Sequence, residues 1–212
     1  MPESLGKAYS RYFLLLWVSS FVFLLVCILS ASFLGVGSLL TFGLIYAIML
    51  ISSLLVWNLQ VESEKHFILA YLVGVSALFG ISLLFGVFAQ HPQTIIQRLT
   101  GTTASTPFSI WDMTPEQLWA FFMNIPGPVA EESFFRIFLW RLLSPALGKT
   151  KSAIAQAIAF GIFHFFAYGQ DLITMLLAIC VGFALGVIYM LTESELGITA
   201  SHLTYNIIIL LI

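Results

Sequence analysis

Residues 128–140 read Pro-Val-Ala-Glu-Glu-Ser-Phe-Phe-Arg-Ile-Phe-Leu-Trp, an apolar stretch that nevertheless carries Glu131, Glu132 and Arg136. At the centre of a lipid bilayer, each such charge costs roughly 2.5–3.5 kcal/mol on insertion scales. Charges are tolerated there when they face the protein interior or a water-filled cavity and take part in function. This segment therefore predicts a buried charge cluster that belongs to a functional site.

The composition is that of a membrane protein. Of the 212 residues, 60% are hydrophobic and only 8% are charged, whereas soluble proteins carry about 25% charged residues. The apolar runs are continuous, which favours membrane-spanning α-helices. The net charge of −2 gives no electrostatic basis for binding nucleic acid. We therefore expect an all-α integral membrane protein whose surroundings are the lipid bilayer.

Apolar stretches recur along the whole chain, and most are long enough to cross a hydrocarbon core of about 30 Å. They lie at residues 12–35, 38–57, 67–89, 117–143, 152–168, 172–192 and 196–212. This pattern predicts a polytopic transmembrane helix bundle with about seven spans. We expect one domain over residues 1–212, with the chemically informative part at about 115–212.

The distribution of lysine and arginine predicts the orientation, because cytoplasmic loops carry an excess of both. With seven spans, Arg98 falls on one side of the membrane. The basic residues on the opposite side are Lys7, Arg11, Lys65, Arg141, Lys149 and Lys151. The N-terminus is therefore predicted to be cytoplasmic. The first apolar run is longer than the core of a signal peptide, roughly 7–15 residues, so we expect this helix to be retained.

A broken helix is predicted just before the acidic pair. Thr114 and Pro115 are typical of a helix start. Pro126-Gly127-Pro128 then interrupts that helix, because the residue before each proline is pushed away from helical geometry. Irregular backbone at membrane depth is tolerated where it packs in protein or lines a cavity. The break therefore also indicates a site.

The spacing of the three charges predicts different roles for the two glutamates. Glu132 and Arg136 are four residues apart and lie about 40° apart on one helix face. Glu131 and Arg136 are about 140° apart by the same geometry. We expect an internal ion pair between Glu132 and Arg136, with Glu131 pointing elsewhere and left to act. The alternative is one structural cluster without reactivity.

Two later spans carry polar side chains that could join Glu131. His164 ends the sequence Phe160-Gly-Ile-Phe-His164, and by itself would be an ordinary helix–helix contact. His202 and Asn206 are four residues apart and share one face of the last span. A carboxylate, two imidazoles and an amide around one point would form a water-activating site. We expect these four side chains to converge.

Three ordered motifs resemble those of one family. Glu-Glu-x-x-x-Arg at 131–136, Phe-x-x-x-His at 160–164 and His-x-x-x-Asn at 202–206 resemble the CPBP family, which comprises CAAX prenyl endopeptidases and bacteriocin-processing or immunity proteins. The resemblance covers about residues 125–207. It implies an all-helical intramembrane endopeptidase with a peptide or protein substrate, prenylated CAAX proteins among them. It also implies that Glu131 and His164 activate water, while His202 and Asn206 stabilise the oxyanion.

The chain departs from the family pattern at two places. Ile137 stands where the family often has glycine, and Glu193 and Glu195 lie in a turn that often reads Thr-Gly-Ser-Leu. Neither departure removes a group assigned to the chemistry. They affect the expected fit of the substrate.

Other interpretations of the same residues stay open at this point. Glu131, His164 and His202 form a set that could bind Zn²⁺, so the chemistry is either metal-free or zinc-dependent. A catalytically inert membrane partner or immunity-type protein is a second alternative. A proton-coupled transporter is a third, because intramembrane acids and broken helices also mark such proteins.

Overall fold

The computed structural model describes residues 15–26, 28–29, 37–57, 66–85, 122–167 and 170–211. Within these ranges every regular element is a helix, so the all-α prediction is confirmed for them. The helices are α1 Leu15–Val26, α2 Gly37–Trp57, α3 Phe67–Leu84, α4 Pro126–Glu132, a π-helical segment Ser133–Leu139, α5 Trp140–Leu147, α6 Lys149–Ala167, α7 Leu172–Thr192 and α8 Glu195–Leu211. Each predicted apolar stretch contains helix.

Two of the described helices are long and apolar enough to cross a membrane. These are α3 and α7, whose most apolar windows have mean hydropathies of 2.3 and 2.5. The helices Leu15–Val26 and Leu40–Leu54 are apolar but shorter. The total of about seven crossings stays a prediction. The orientation does too, since Lys7, Arg11, Lys65 and Arg98 lie outside the described residues.

The chain turns at Asn124–Ile125, and α4 starts directly afterwards with Pro126 in its first turn. The Pro-Gly-Pro sequence therefore begins a helix, as proline at the first helical position commonly does. The predicted helix start near residue 115 lies outside the described residues. The π-helical segment begins directly after Glu132 and was not predicted from the sequence. Single π turns of this kind often occur at functional sites.

The bundle is held by side chains buried between helices. Among the described residues, apolar side chains that are completely buried come from six helices, α1, α2, α3, α4, α7 and α8: Leu24, Leu50, Ala70, Leu78, Val129, Ala130, Leu185 and Ile198. Helix α3 packs against α7 and α8, while α2 packs against α4 and the π-helical segment. The acidic pair therefore lies between the amino-terminal helices and the carboxy-terminal ones.

Helices α6 and α7 approach so closely that two positions at their crossing require glycine. A Cβ on Gly182 would stand 3.2 Å from Ala157 Cα, and a Cβ on Gly161 would stand 2.9 Å from the backbone oxygen of Met175. Small residues at helix crossings permit this approach and are common in membrane bundles. Phe160 and His164 also lie on α6, so this close crossing determines how the two side chains face the interior.

Polar contacts fix the turn between α7 and α8. The Arg141 guanidinium lies 3.1 Å from the Glu195 carboxylate, which also accepts a hydrogen bond from the Tyr189 hydroxyl at 3.3 Å. Lys149 lies 3.3 Å from Glu193, whose φ of 53° is in the left-handed region that favours glycine. The two glutamates by which this turn departs from the family pattern are thus engaged in ion pairs.

The α6–α7 crossing predicts a strong dependence on glycine. We expect Gly161→Ala to lower the free energy of unfolding by about 1–3 kcal/mol, because the new methyl overlaps Ile179 and presses on the Met175 backbone. The matched control is Gly80→Ala in α3, where nothing lies within 4 Å of the added Cβ. Thermal unfolding in detergent measures both. An equal effect of the two substitutions would contradict the proposed tight crossing.

Candidate active site

A single cavity of about 190 Å³ receives all four side chains that the sequence predicted to converge. Glu131 comes from α4, His164 from α6, and His202 and Asn206 from α8. The other walls are formed by α7, by the turn before α4 and by neighbouring side chains. These further lining residues are Asn124, Phe160, Thr174, Leu177, Ala178, Val181 and Tyr205. The site therefore combines a polar centre with an apolar wall from α7.

The ion pair predicted from the four-residue spacing is present. Arg136 Nε lies 3.0 Å from Glu132 Oε2, and both side chains are 1% exposed. Arg136 Nη2 also donates to the backbone oxygen of Gly182 at 3.3 Å, and its Cζ stands 4.8 Å above the centre of the Phe160 ring. Despite their short separation, Arg136 Nε and Glu132 Oε2 lack hydrogen-bond geometry, and Arg136 Nη1 has no hydrogen-bond partner among the described residues. The guanidinium is therefore compensated by the proximity of Glu132, by the bond of its Nη2 and by the Phe160 ring.

His202 lies between the two glutamates, a position that the helix geometry of the acidic segment did not predict. His202 Nδ1 donates to Glu132 Oε1 at 2.7 Å, while its Nε2 lies 3.8 Å from Glu131 Oε2. The imidazole ring is wide enough to present one nitrogen to each carboxylate. Glu132 therefore both pairs with Arg136 and orients His202, a second role that helix geometry alone did not predict.

His164 is oriented by its own helix. Its Nδ1 donates to the backbone oxygen of Phe160 at 2.9 Å, so in the neutral ring Nε2 carries the lone pair. The Phe160 ring lies 4.2 Å from the imidazole, and the Phe163 ring meets it edge-on at 5.4 Å. These aromatic neighbours restrict the rotation of the ring. In this tautomer Nε2 can accept a proton.

The side chains that could bind zinc are those of Glu131, His164 and His202. Both histidines use Nδ1 to donate to an oxygen, as metal-ligating histidines commonly do. Within the part of the chain that the structure describes, however, no three side chains of His, Cys, Asp or Glu are placed to hold a metal ion together. Glu131, His164 and His202 share the cavity without forming such a set, so no step is assigned to a metal.

Sequence reasoning missed one direct partner of Glu131. The Tyr46 hydroxyl on α2 donates to Glu131 Oε1 at 3.0 Å, and the contact is buried. Asn124 and Tyr205 also line the cavity and were not predicted. The only signal for Tyr46 was a hydroxyl in a span that also carries the hydroxyls of Ser38, Thr41, Ser52 and Ser53. Such a signal does not indicate which of the other helices will supply the acceptor.

Comparison with known proteins gives one family match, over the carboxy-terminal part of the chain. Residues 114–208 match the family model described as Type II CAAX prenyl endopeptidase Rce1-like. No curated protein and no solved structure matches the chain. The matched range contains Glu131, Glu132, Arg136, His164, His202 and Asn206. This match covers less than half of the 212 residues, and it supports the resemblance to the CPBP/CAAX family of proteases.

Proposed function

We propose that this protein is a CAAX-type intramembrane endopeptidase that hydrolyses a peptide bond with a water activated by Glu131 and His164. The observation that carries the proposal is the shared cavity, in which one carboxylate, two imidazoles and one amide face each other. The family match supports the same class of reaction. Its members act on protein substrates, which fits a cavity with both polar and apolar walls.

The first step is activation of water. A water in the cavity gives its proton to the carboxylate of Glu131 or to Nε2 of His164, and its oxygen attacks the carbonyl carbon of the peptide bond. The Nδ1 hydrogen bond of His164 to Phe160 favours the tautomer that can accept this proton. The carbonyl double bond opens, and the negative charge moves to the carbonyl oxygen.

The second step is stabilisation and collapse of the tetrahedral intermediate. The side-chain amide of Asn206 donates to the oxyanion, and His202 faces the same cavity. Because His202 Nδ1 is committed to Glu132, an additional donor at Nε2 requires the imidazolium form. When the intermediate collapses, the C–N bond breaks, and the leaving amine takes the proton that Glu131 or His164 received from water.

Glu132 and Arg136 support this chemistry without contacting the substrate. Glu132 holds His202 through its Oε1, while Arg136 balances the negative charge and ties the acidic helix to Gly182 on α7. The membrane environment is part of the proposal as well. We infer a multi-pass protein with a cytoplasmic N-terminus and a substrate that is a peptide or protein, including the prenylated C-terminus of a CAAX protein.

The central prediction concerns Glu131 and His164. We expect Glu131→Gln and His164→Ala to reduce cleavage below detection, because each removes a proton acceptor from the water. The measurement is cleavage of a farnesylated CAAX peptide, its unprenylated form and an unrelated leader peptide by protein purified in detergent. Size-exclusion profiles and thermal unfolding report whether each variant is folded.

The matched control changes a histidine outside the cavity. His66→Ala alters an exposed histidine before α3, and this variant should cleave as the wild type does. Undiminished cleavage by Glu131→Gln or His164→Ala would overturn the assignment. Folded wild-type protein that cleaves none of the three peptides would favour the inert-partner interpretation.

Asn206 is expected to act in the transition state. Asn206→Ala should lower kcat by about 10²- to 10³-fold with little change in KM, because oxyanion donors bind charge that develops during the reaction. Steady-state kinetics on the preferred peptide separates the two parameters. A raised KM with an unchanged kcat would assign Asn206 to substrate binding instead.

Metal dependence can be decided on active protein. Because Glu131, His164 and His202 do not form a ligand set among the described residues, we expect activity to persist after EDTA treatment. Elemental analysis of the same active sample should find less than stoichiometric zinc. Loss of activity with EDTA and its recovery with Zn²⁺ would establish the zinc-dependent alternative.

A further inference from the structure

Tyr46 lies outside residues 114–208, which the family model matches, yet it contacts the central acid of the site. It is a buried residue of α2, 7% exposed, and its hydroxyl donates to Glu131 Oε1 at 3.0 Å. Helix α2 packs against both α4 and the π-helical segment that follows it. The contact therefore joins an amino-terminal helix to the acidic one.

The direction of the Tyr46 hydroxyl is fixed by packing on its ring. A Cβ on Gly127 would meet the ring atom Cζ and the hydroxyl oxygen at 3.6 Å, so the ring lies along the first turn of α4. The Phe163 ring on α6 stands edge-on to it, with centroids 6.3 Å apart. Glu131 is one turn after Gly127 on the same face of α4. The Tyr46 ring therefore lies along α4 between Gly127 and Glu131, and its hydroxyl reaches the Glu131 carboxylate.

The two oxygens of Glu131 have different surroundings. Oε1 accepts from Tyr46, whereas Oε2 lies 3.8 Å from His202 Nε2. Arg136 pairs with Glu132 at 3.0 Å and so leaves the orientation of Glu131 to these other groups. A hydrogen bond to an ionised acceptor is roughly twice as strong as one between neutral groups. The hydrogen bond from Tyr46 is therefore the contact that restrains the carboxylate of Glu131 most directly.

We propose that Tyr46 is a positioning residue for Glu131: it holds Oε1, and thereby directs Oε2 into the cavity to receive the proton of the attacking water. The inference rests on the proposed function of Glu131. It extends the catalytic unit beyond residues 114–208 to α2. It also explains why α2 carries a buried tyrosine hydroxyl at this position.

The test is Tyr46→Phe, which keeps the ring and its packing and removes only the hydroxyl. We expect kcat to fall about 10- to 100-fold with KM changed less than about twofold, because misplacement of a catalytic group by about 1 Å costs up to 10²-fold. A merely structural tyrosine would not separate kcat from KM in this way.

The matched control is Tyr71→Phe. Tyr71 is a partly buried tyrosine on α3 whose hydroxyl is hydrogen-bonded to Thr204 at 3.3 Å, and it does not line the cavity. This variant should keep the kcat and KM of the wild type. Tyr46→Phe with wild-type kcat would overturn the positioning role, while Glu131-dependent cleavage by the wild type would leave the proposed function intact.

A second measurement does not depend on activity. Tyr46→Phe should lower the Tm of the wild type, because a buried carboxylate oxygen loses its donor. In a Glu131→Ala background the acceptor is already gone, so the same change should leave the Tm unaltered or raise it. Equal shifts in the two backgrounds would mean that the residues are not coupled, and would overturn the inference even for a protein that cleaves no peptide.

Discussion

The buried pair of Glu132 and Arg136 is the constraint on which the remaining structure depends. Two full charges at 1% exposure would be prohibitive for an apolar bundle unless each is compensated. Arg136 meets that requirement by reaching Gly182 and the face of Phe160, and Glu132 by accepting from His202. Compensation of this one pair thus connects the acidic segment to α6, α7 and α8.

These connections bring together the side chains that the proposed mechanism uses. Phe160, which stacks on Arg136, is one turn before His164 and provides the carbonyl that orients it. His202, which Glu132 holds, is one turn before Asn206 on α8. The sequences of α6 and α8 carry only weak local signals of function. Contacts to the same ion pair nevertheless place both helices at the site. The close α6–α7 crossing at Gly161 and Gly182 allows the guanidinium to span them.

Periodicity and composition were sufficient to predict the helices, the ion pair and the four side chains of the cavity. They could not predict the π-helical segment after Glu132, because a rotation of 100° per residue describes only an ideal α-helix. The separation of Glu131 from Arg136 was predicted correctly, whereas the contact of His202 with Glu132, 70 residues away, has no local signal in the sequence. Tyr46 was missed because its acceptor is 85 residues away, and such long-range contacts leave no local pattern.

The two histidines have equivalent Nδ1 contacts but different acceptors, and this difference separates their chemistry. His164 donates to a neutral backbone carbonyl, an arrangement compatible with a neutral ring whose Nε2 accepts a proton. His202 donates to a carboxylate, which can balance the positive charge of an imidazolium with an N–H on each nitrogen. In the proposed mechanism, His164 takes a proton from water and His202 donates to the negative charge that forms afterwards. The sequence places both histidines in apolar helices, and only their acceptors distinguish them.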